Sequence, residues 1–72
     1  MRTYSILIDP DRDGGYNVSV PALPGCITQA ETLEECVAHA QEAIALYVED
    51  LVACGKPIPE EIEPPQLFQV TL

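Results

Sequence analysis

The sequence is poor in positive charge. It holds three basic residues, Arg2, Arg12 and Lys56, against twelve acidic ones, for a net charge of −9. Counterion release from nucleic acid requires clustered lysine and arginine, so direct binding to DNA or RNA is not expected. An anionic membrane surface repels such a chain as well. No apolar run reaches the length of a membrane span, and Met1-Arg2 leads straight into a strand-like segment, so no secretory leader is expected. Cys26, Cys36 and Cys54 are odd in number and form no C-x-x-C pair, which argues against a zinc site or a disulfide framework. Three reduced thiols and no leader point to the cytoplasm.

Chemistry-bearing residues are few. Serine occurs only as Ser5 and Ser19, both in strand-like segments, and histidine only as His39. Cys36 lies three residues before His39, but it borders the apolar stripe of its helix, a poor setting for a nucleophile. Asp9-Pro10-Asp11-Arg12-Asp13-Gly14 opens like a calcium loop. The twelfth position of such a loop needs a bidentate carboxylate, and here it is Val20. An acidic turn accounts for the run better. No glycine-rich phosphate loop precedes the helix. The sequence therefore calls for no metal, no cofactor and no catalytic constellation, and a non-enzyme is expected.

What is present is a single small domain, residues 1–72, with 47% apolar residues. A chain this short buries only about 60% of the surface its unfolded form exposes. Such a core is marginal alone, so a homo-oligomer or a partner is expected. Residues 3–9 alternate with Tyr4, Ile6 and Ile8 on one face. Residues 16–20 alternate with Tyr16, Val18 and Val20. The Pro- and Gly-rich turn between them marks an antiparallel hairpin with a loop longer than two residues. Pro21-Ala22-Leu23-Pro24-Gly25 ends the second strand, and residues 26–30 are a short third strand.

Thr32-Leu33-Glu34-Glu35 reads as a capping box, with the Glu35 carboxylate reaching back to the Thr32 amide. The helix it starts is expected to run to about Cys54, with Gly55 in the left-handed cap position and Pro57 preventing resumption. Leu33, Val37, Ala40, Ile44, Tyr47 and Leu51 form an apolar stripe expected to pack on the sheet. The same spacing fits a coiled coil, but only about three heptads are present and strands flank them. Residues 56–65 form an acidic, proline-rich connector. Residues 66–72 read as a last strand, with Phe68, Val70 and Leu72 opposite Gln69 and Thr71. The expected fold class is α+β, in the order β-β-β-α-β, with one long helix on one face of a small sheet.

The strand-ending Pro21-Ala22-Leu23-Pro24-Gly25-Cys26, the following Thr28-Gln29, the Thr32-Leu33-Glu34-Glu35 helix start and the Ala40/Ala43/Ile44-to-Tyr47 helix resemble the HicB-like antitoxin family. The leading Tyr4-Ser5-Ile6-Leu7-Ile8 and its Asp/Gly turn belong to the same pattern. The resemblance covers roughly residues 3–60. It implies a partial RNase H-like fold. Of the metal-binding carboxylates such chemistry needs, only Asp9 is a natural candidate, so the site is expected to be degenerate. It also implies a partner: a small basic HicA-type toxin that cleaves messenger RNA with a histidine. Many members carry a second, DNA-binding domain. This sequence shows no basic helix for one, so operator binding and autorepression are not expected.

The expected function is that of an antitoxin module that binds and sterically neutralises such a toxin. The alternative is a stand-alone homo-oligomeric structural or regulatory protein with no toxin partner. Asp11 and Asp13 in the hairpin turn and Glu31, Glu34 and Glu35 at the helix entrance are the candidate toxin contacts. Leu67, Phe68, Val70 and Leu72 are the candidate oligomer interface.

Overall fold

A computed structural model describes residues 2–72. Three short strands and one helix follow in the order β1 (Leu7–Pro10), β2 (Tyr16–Ser19), β3 (Ile27–Ala30) and α1 (Leu33–Ala53). The sheet order is β1-β2-β3, antiparallel throughout. Ile8 faces Val18 and Val18 faces Thr28, while Asp9, Asn17 and Gln29 align on the opposite face. That alternation is the two-residue period of the sequence made physical. The α+β class and the first four elements are those expected.

Two stretches differ. Residues 66–72 join no sheet of the chain, so the order is β-β-β-α. Periodicity marks a segment able to pair, but here it pairs with no strand and its apolar side chains are exposed. The first strand is also shorter than expected, beginning at Leu7 rather than near residue 3. In the register Leu7↔Ser19, Ser5 would face Pro21. The chain has already turned away there, and the Glu61 carboxylate fills the place. It accepts from the Ser5 amide and hydroxyl, each at 2.7 Å. The Tyr4 hydroxyl donates to the Pro59 carbonyl beside it. The acidic connector is thus fastened to the start of the first strand.

Both helix ends carry their signals. The Thr32 side chain accepts from the Glu35 amide at 3.2 Å. The Glu35 carboxylate accepts from the Glu31 amide at 3.1 Å, one residue earlier than a capping box requires. At the far end Gly55 has φ +69°, its amide reaches Val52 O, and the Lys56 amide reaches Leu51 O. These two bonds define a Schellman cap.

The face that α1 buries is rotated from the expected stripe. Cys36 and Ala40 are buried, and Ala43, Ile44, Tyr47 and Leu51 are half-buried. Leu33 and Val37 are 57% and 50% exposed. The apolar arc of this helix is wider than the sheet it meets. The small Cys36, Ala40 and Ala43 let the helix approach the sheet closely, so they take the centre and the larger side chains fall to the rim.

The core has two joined clusters. Val18, Ala30, Cys36 and Ala40 form one, flanked by Ile8 and Tyr16. Val20, Leu23 and Cys26 form the other, flanked by Tyr4, Ile44 and Tyr47. Ile6 touches both. Leu23 has no exposed surface. Two successive turns, Leu23 N–H to Val20 O and Cys26 N–H to Leu23 O, both 2.9 Å, drive it inward. The Tyr47 hydroxyl clamps the loop by donating to Pro24 O at 2.7 Å.

Candidate functional site

The hairpin turn between β1 and β2 brings acidic groups next to the start of α1. The Asp11 amide bonds to Gly15 O at 3.0 Å and the Gly14 amide to Asp11 O at 3.1 Å, closing the turn. Gly15, at φ +73°, lies so close to β3 that a Cβ would meet Ala30 O at 2.9 Å. Only glycine permits that approach. The turn therefore lies against the β3–α1 junction, and Asp11, Glu31, Glu35 and His39 border a hollow of about 200 Å³.

Of the five acidic residues singled out from the sequence, Asp11, Glu31 and Glu35 thus come together. Asp13 and Glu34 are exposed and do not line the hollow. Glu35 is committed to capping, as is the Glu31 amide, while the Glu31 side chain lies near Gly15. No lysine or arginine lines the hollow itself, although the exposed Arg12 sits in the same turn between Asp11 and Asp13.

His39 lies off the apolar stripe of α1 but is not a free surface residue. It is half-buried, and its Nδ1 lies 2.7 Å from Gln29 O. Nδ1–H donating to that carbonyl leaves Nε2 as the accessible nitrogen. Cys36, by contrast, is fully buried in the core, so the two do not form a nucleophile–base pair facing solvent. Burial pushes the Cys26 thiol up from its ordinary value, which disfavours the thiolate there. Asp9 is exposed on the outer sheet face. Among the described residues, no three His, Cys, Asp or Glu side chains converge as metal ligands.

A second, larger concavity of about 840 Å³ follows the free edge of β3 and the flank of α1. Ile27, Thr28 and Gln29 form one wall, and His39, Ala43 and Leu46 the other. Sequence reasoning missed this groove, because its walls come from a strand and a helix flank whose meeting depends on how far the helix is rotated. Residues 66–72 touch neither concavity, and Leu67, Phe68 and Val70 are 94%, 78% and 82% exposed.

These features define a small α+β domain with carboxylates gathered at one end and an open-edged three-stranded sheet. No helix among the described residues is long and apolar enough to cross a membrane. Residues 4–69 match the family model of the HicB-like antitoxin of bacterial toxin–antitoxin systems, and the chain belongs to that family. It is similar to a UPF0150 protein of Thermoplasma acidophilum, with 45% identity over 81% of this chain and 84% of that protein. It is 43% identical to a UPF0150 protein of Synechocystis over 81% of this chain and 73% of that one. It is also 37% identical to Antitoxin HicB 1 of Photorhabdus laumondii, over 65% of this chain and 33% of that protein.

Proposed function

We propose that this chain is a cytoplasmic antitoxin module that binds a small, basic, mRNA-cleaving HicA-type toxin and neutralises it by steric occlusion. The observation that carries the reading is the convergence of Asp11, Glu31 and Glu35 at one end of a molecule of net charge −9. A toxin that grips RNA presents positive charge. An acidic, rigidly held surface competes for that face and accelerates encounter by long-range attraction. Asp13 and Glu34 extend the same field from exposed positions. The role is binding rather than catalysis.

Self-association belongs to the same reading. The exposed Leu67, Phe68, Val70 and Leu72 support an interface between copies.

The test is the association rate with the cognate toxin. Asp11→Lys with Glu31→Lys is expected to slow association at least about fivefold, equivalent to about 1 kcal/mol or more for two reversed charges at close range. Raising salt is expected to slow the parent protein toward the same rate. An association rate indifferent to salt and to both substitutions refutes the acidic-surface reading.

A further inference from the structure

We propose that residues 66–72 of one copy add as a strand to the free edge of β3 in a second copy, in the groove between β3 and α1. This rests on the self-association reading above and specifies how it is achieved.

The first argument is the pattern of open hydrogen-bonding groups. Antiparallel neighbours alternate between bonded and non-bonded pairs. The Val20 amide bonds to Cys26 O at 3.0 Å, which sets the phase of the β2–β3 ladder: the pairs Val18–Thr28 and Tyr16–Ala30 turn inward. Ile27 and Gln29 therefore direct their backbone groups outward, and the reach of Gln29 O to His39 agrees. Two N–H groups remain open along this edge. The outer edge of β1 is poorer. There Ile8 and Pro10 face outward, and Pro10 has no N–H to donate.

The second argument is side-chain chemistry. A strand added beside β3 continues both sheet faces. One face meets the helix flank at Ala43 and Leu46, and the other continues the polar row of Asn17 and Gln29. Phe68, Val70 and Leu72 fit the first, and Gln69 and Thr71 the second. Leu46, 67% exposed, presents apolar surface on the helix-flank face, while Ile27, 73% exposed, lies on the outer face with Gln29, where an added strand also covers it.

The third argument is charge. Two copies at −9 repel each other, and any acidic contact between them adds to that. Residues 64–72 hold no charged side chain, and neither do residues 25–30. These are two uncharged segments, one an exposed strand-former and the other an open strand edge; the carboxylates that border the groove, Asp9 and Glu42, come from neighbouring elements and meet no charged side chain in residues 64–72.

The occupant comes from another copy because the connector is directed. Glu61 is tied to Ser5, and Pro64-Pro65 follows within a few residues. Successive prolines hold an extended, semi-rigid path, and the segment beyond them pairs with no strand of its own chain. Reciprocal exchange about a two-fold axis satisfies both copies at once. Seven residues in strand geometry span about 23 Å, enough to cover a four-residue edge.

The experiment uses the full chain and a Phe68→Asp/Val70→Asp variant, whose changed side chains are largely exposed and belong to neither core cluster. Sedimentation up to about 500 µM reads assembly, since mass action governs it. Amide hydrogen exchange reads the edge. The parent is expected to dimerise, and the variant to stay monomeric with the same far-ultraviolet dichroism. The Ile27 and Gln29 amides are expected to exchange about tenfold or more slowly in the dimer than in the variant. Protection at Ile8 with none at Ile27 and Gln29 overturns the proposal but leaves self-association standing. A dimer that survives the double substitution overturns it equally. Protection that does not change with concentration assigns the segment to its own chain and overturns it. A parent that stays monomeric throughout refutes self-association itself.

Discussion

Leu23 sits in a loop between two strands yet has no exposed surface, because two consecutive turns aim it into the core against Tyr47 and Ile44. Its removal leaves a cavity that rigid turns cannot close. Leu23→Ala is expected to lower stability by about 2–5 kcal/mol, the range for large-to-small changes at buried sites. Leu33→Ala deletes the same atoms from a side chain 57% exposed at the helix rim, and is expected to cost less than about 1 kcal/mol. Urea unfolding of both variants checks the pair. Equal losses would place Leu33 in a buried contact. Leu33 and Leu23 are equally apolar in the sequence. What separates them is the turn geometry around one and the rotation of the helix around the other.

The helix depends on its ends. Its length, about 31 Å at 1.5 Å per residue, exceeds that of the strands it crosses, so part of it overhangs the sheet with little tertiary support. Thr32→Ala removes the side-chain acceptor for the Glu35 amide and is expected to cost about 1 kcal/mol. Gly55→Ala forces a side chain into φ +69° and is expected to cost about the same. Nothing lies within 4 Å of a Cβ at Gly55, so that loss reports backbone conformation rather than a clash. Thermal melts of the two variants, with helicity followed by circular dichroism, test both. Gly55→Ala with unchanged stability would mean that the cap frays freely. Thr32, Glu35 and Gly55 were all legible in the sequence, since capping is local chemistry between residues a few positions apart. The Glu35 carboxylate selects the Glu31 amide instead of the Thr32 amide, a choice made by how the chain enters the helix from β3.

The molecule measures 44 × 27 × 19 Å with a radius of gyration of 13.6 Å. A compact chain of this length has a radius near 11 Å. The excess matches an outlying segment at 66–72 whose apolar side chains are exposed. At this scale charge governs behaviour. With three basic residues in the whole chain, it is expected to show no binding to an RNA or DNA duplex at physiological salt by fluorescence anisotropy. Micromolar binding that weakens steeply as salt rises would contradict this. Attraction to a basic protein and indifference to nucleic acid are two outcomes of one charge distribution.

The sequence by itself determined the hairpin, the third strand, the helix and its two ends. Each rests on a period or a cap that operates over a few residues, and the run from Tyr16 to Glu49 carried the family resemblance besides. It also determined the sign of the surface, because net charge is additive. The tertiary structure alone decided which arc of α1 faces the sheet, since close approach favours Cys36 and Ala40 over Leu33 and Val37. It decided that Asp11 borders one hollow with Glu31 and Glu35, which required Gly15 to lie so close to β3 that a Cβ there would meet Ala30 O at 2.9 Å. And it decided the fate of residues 66–72. Alternation shows that a segment can pair, but pairing needs an open edge within reach, and reach is set by where Glu61 is anchored and where the prolines point the chain.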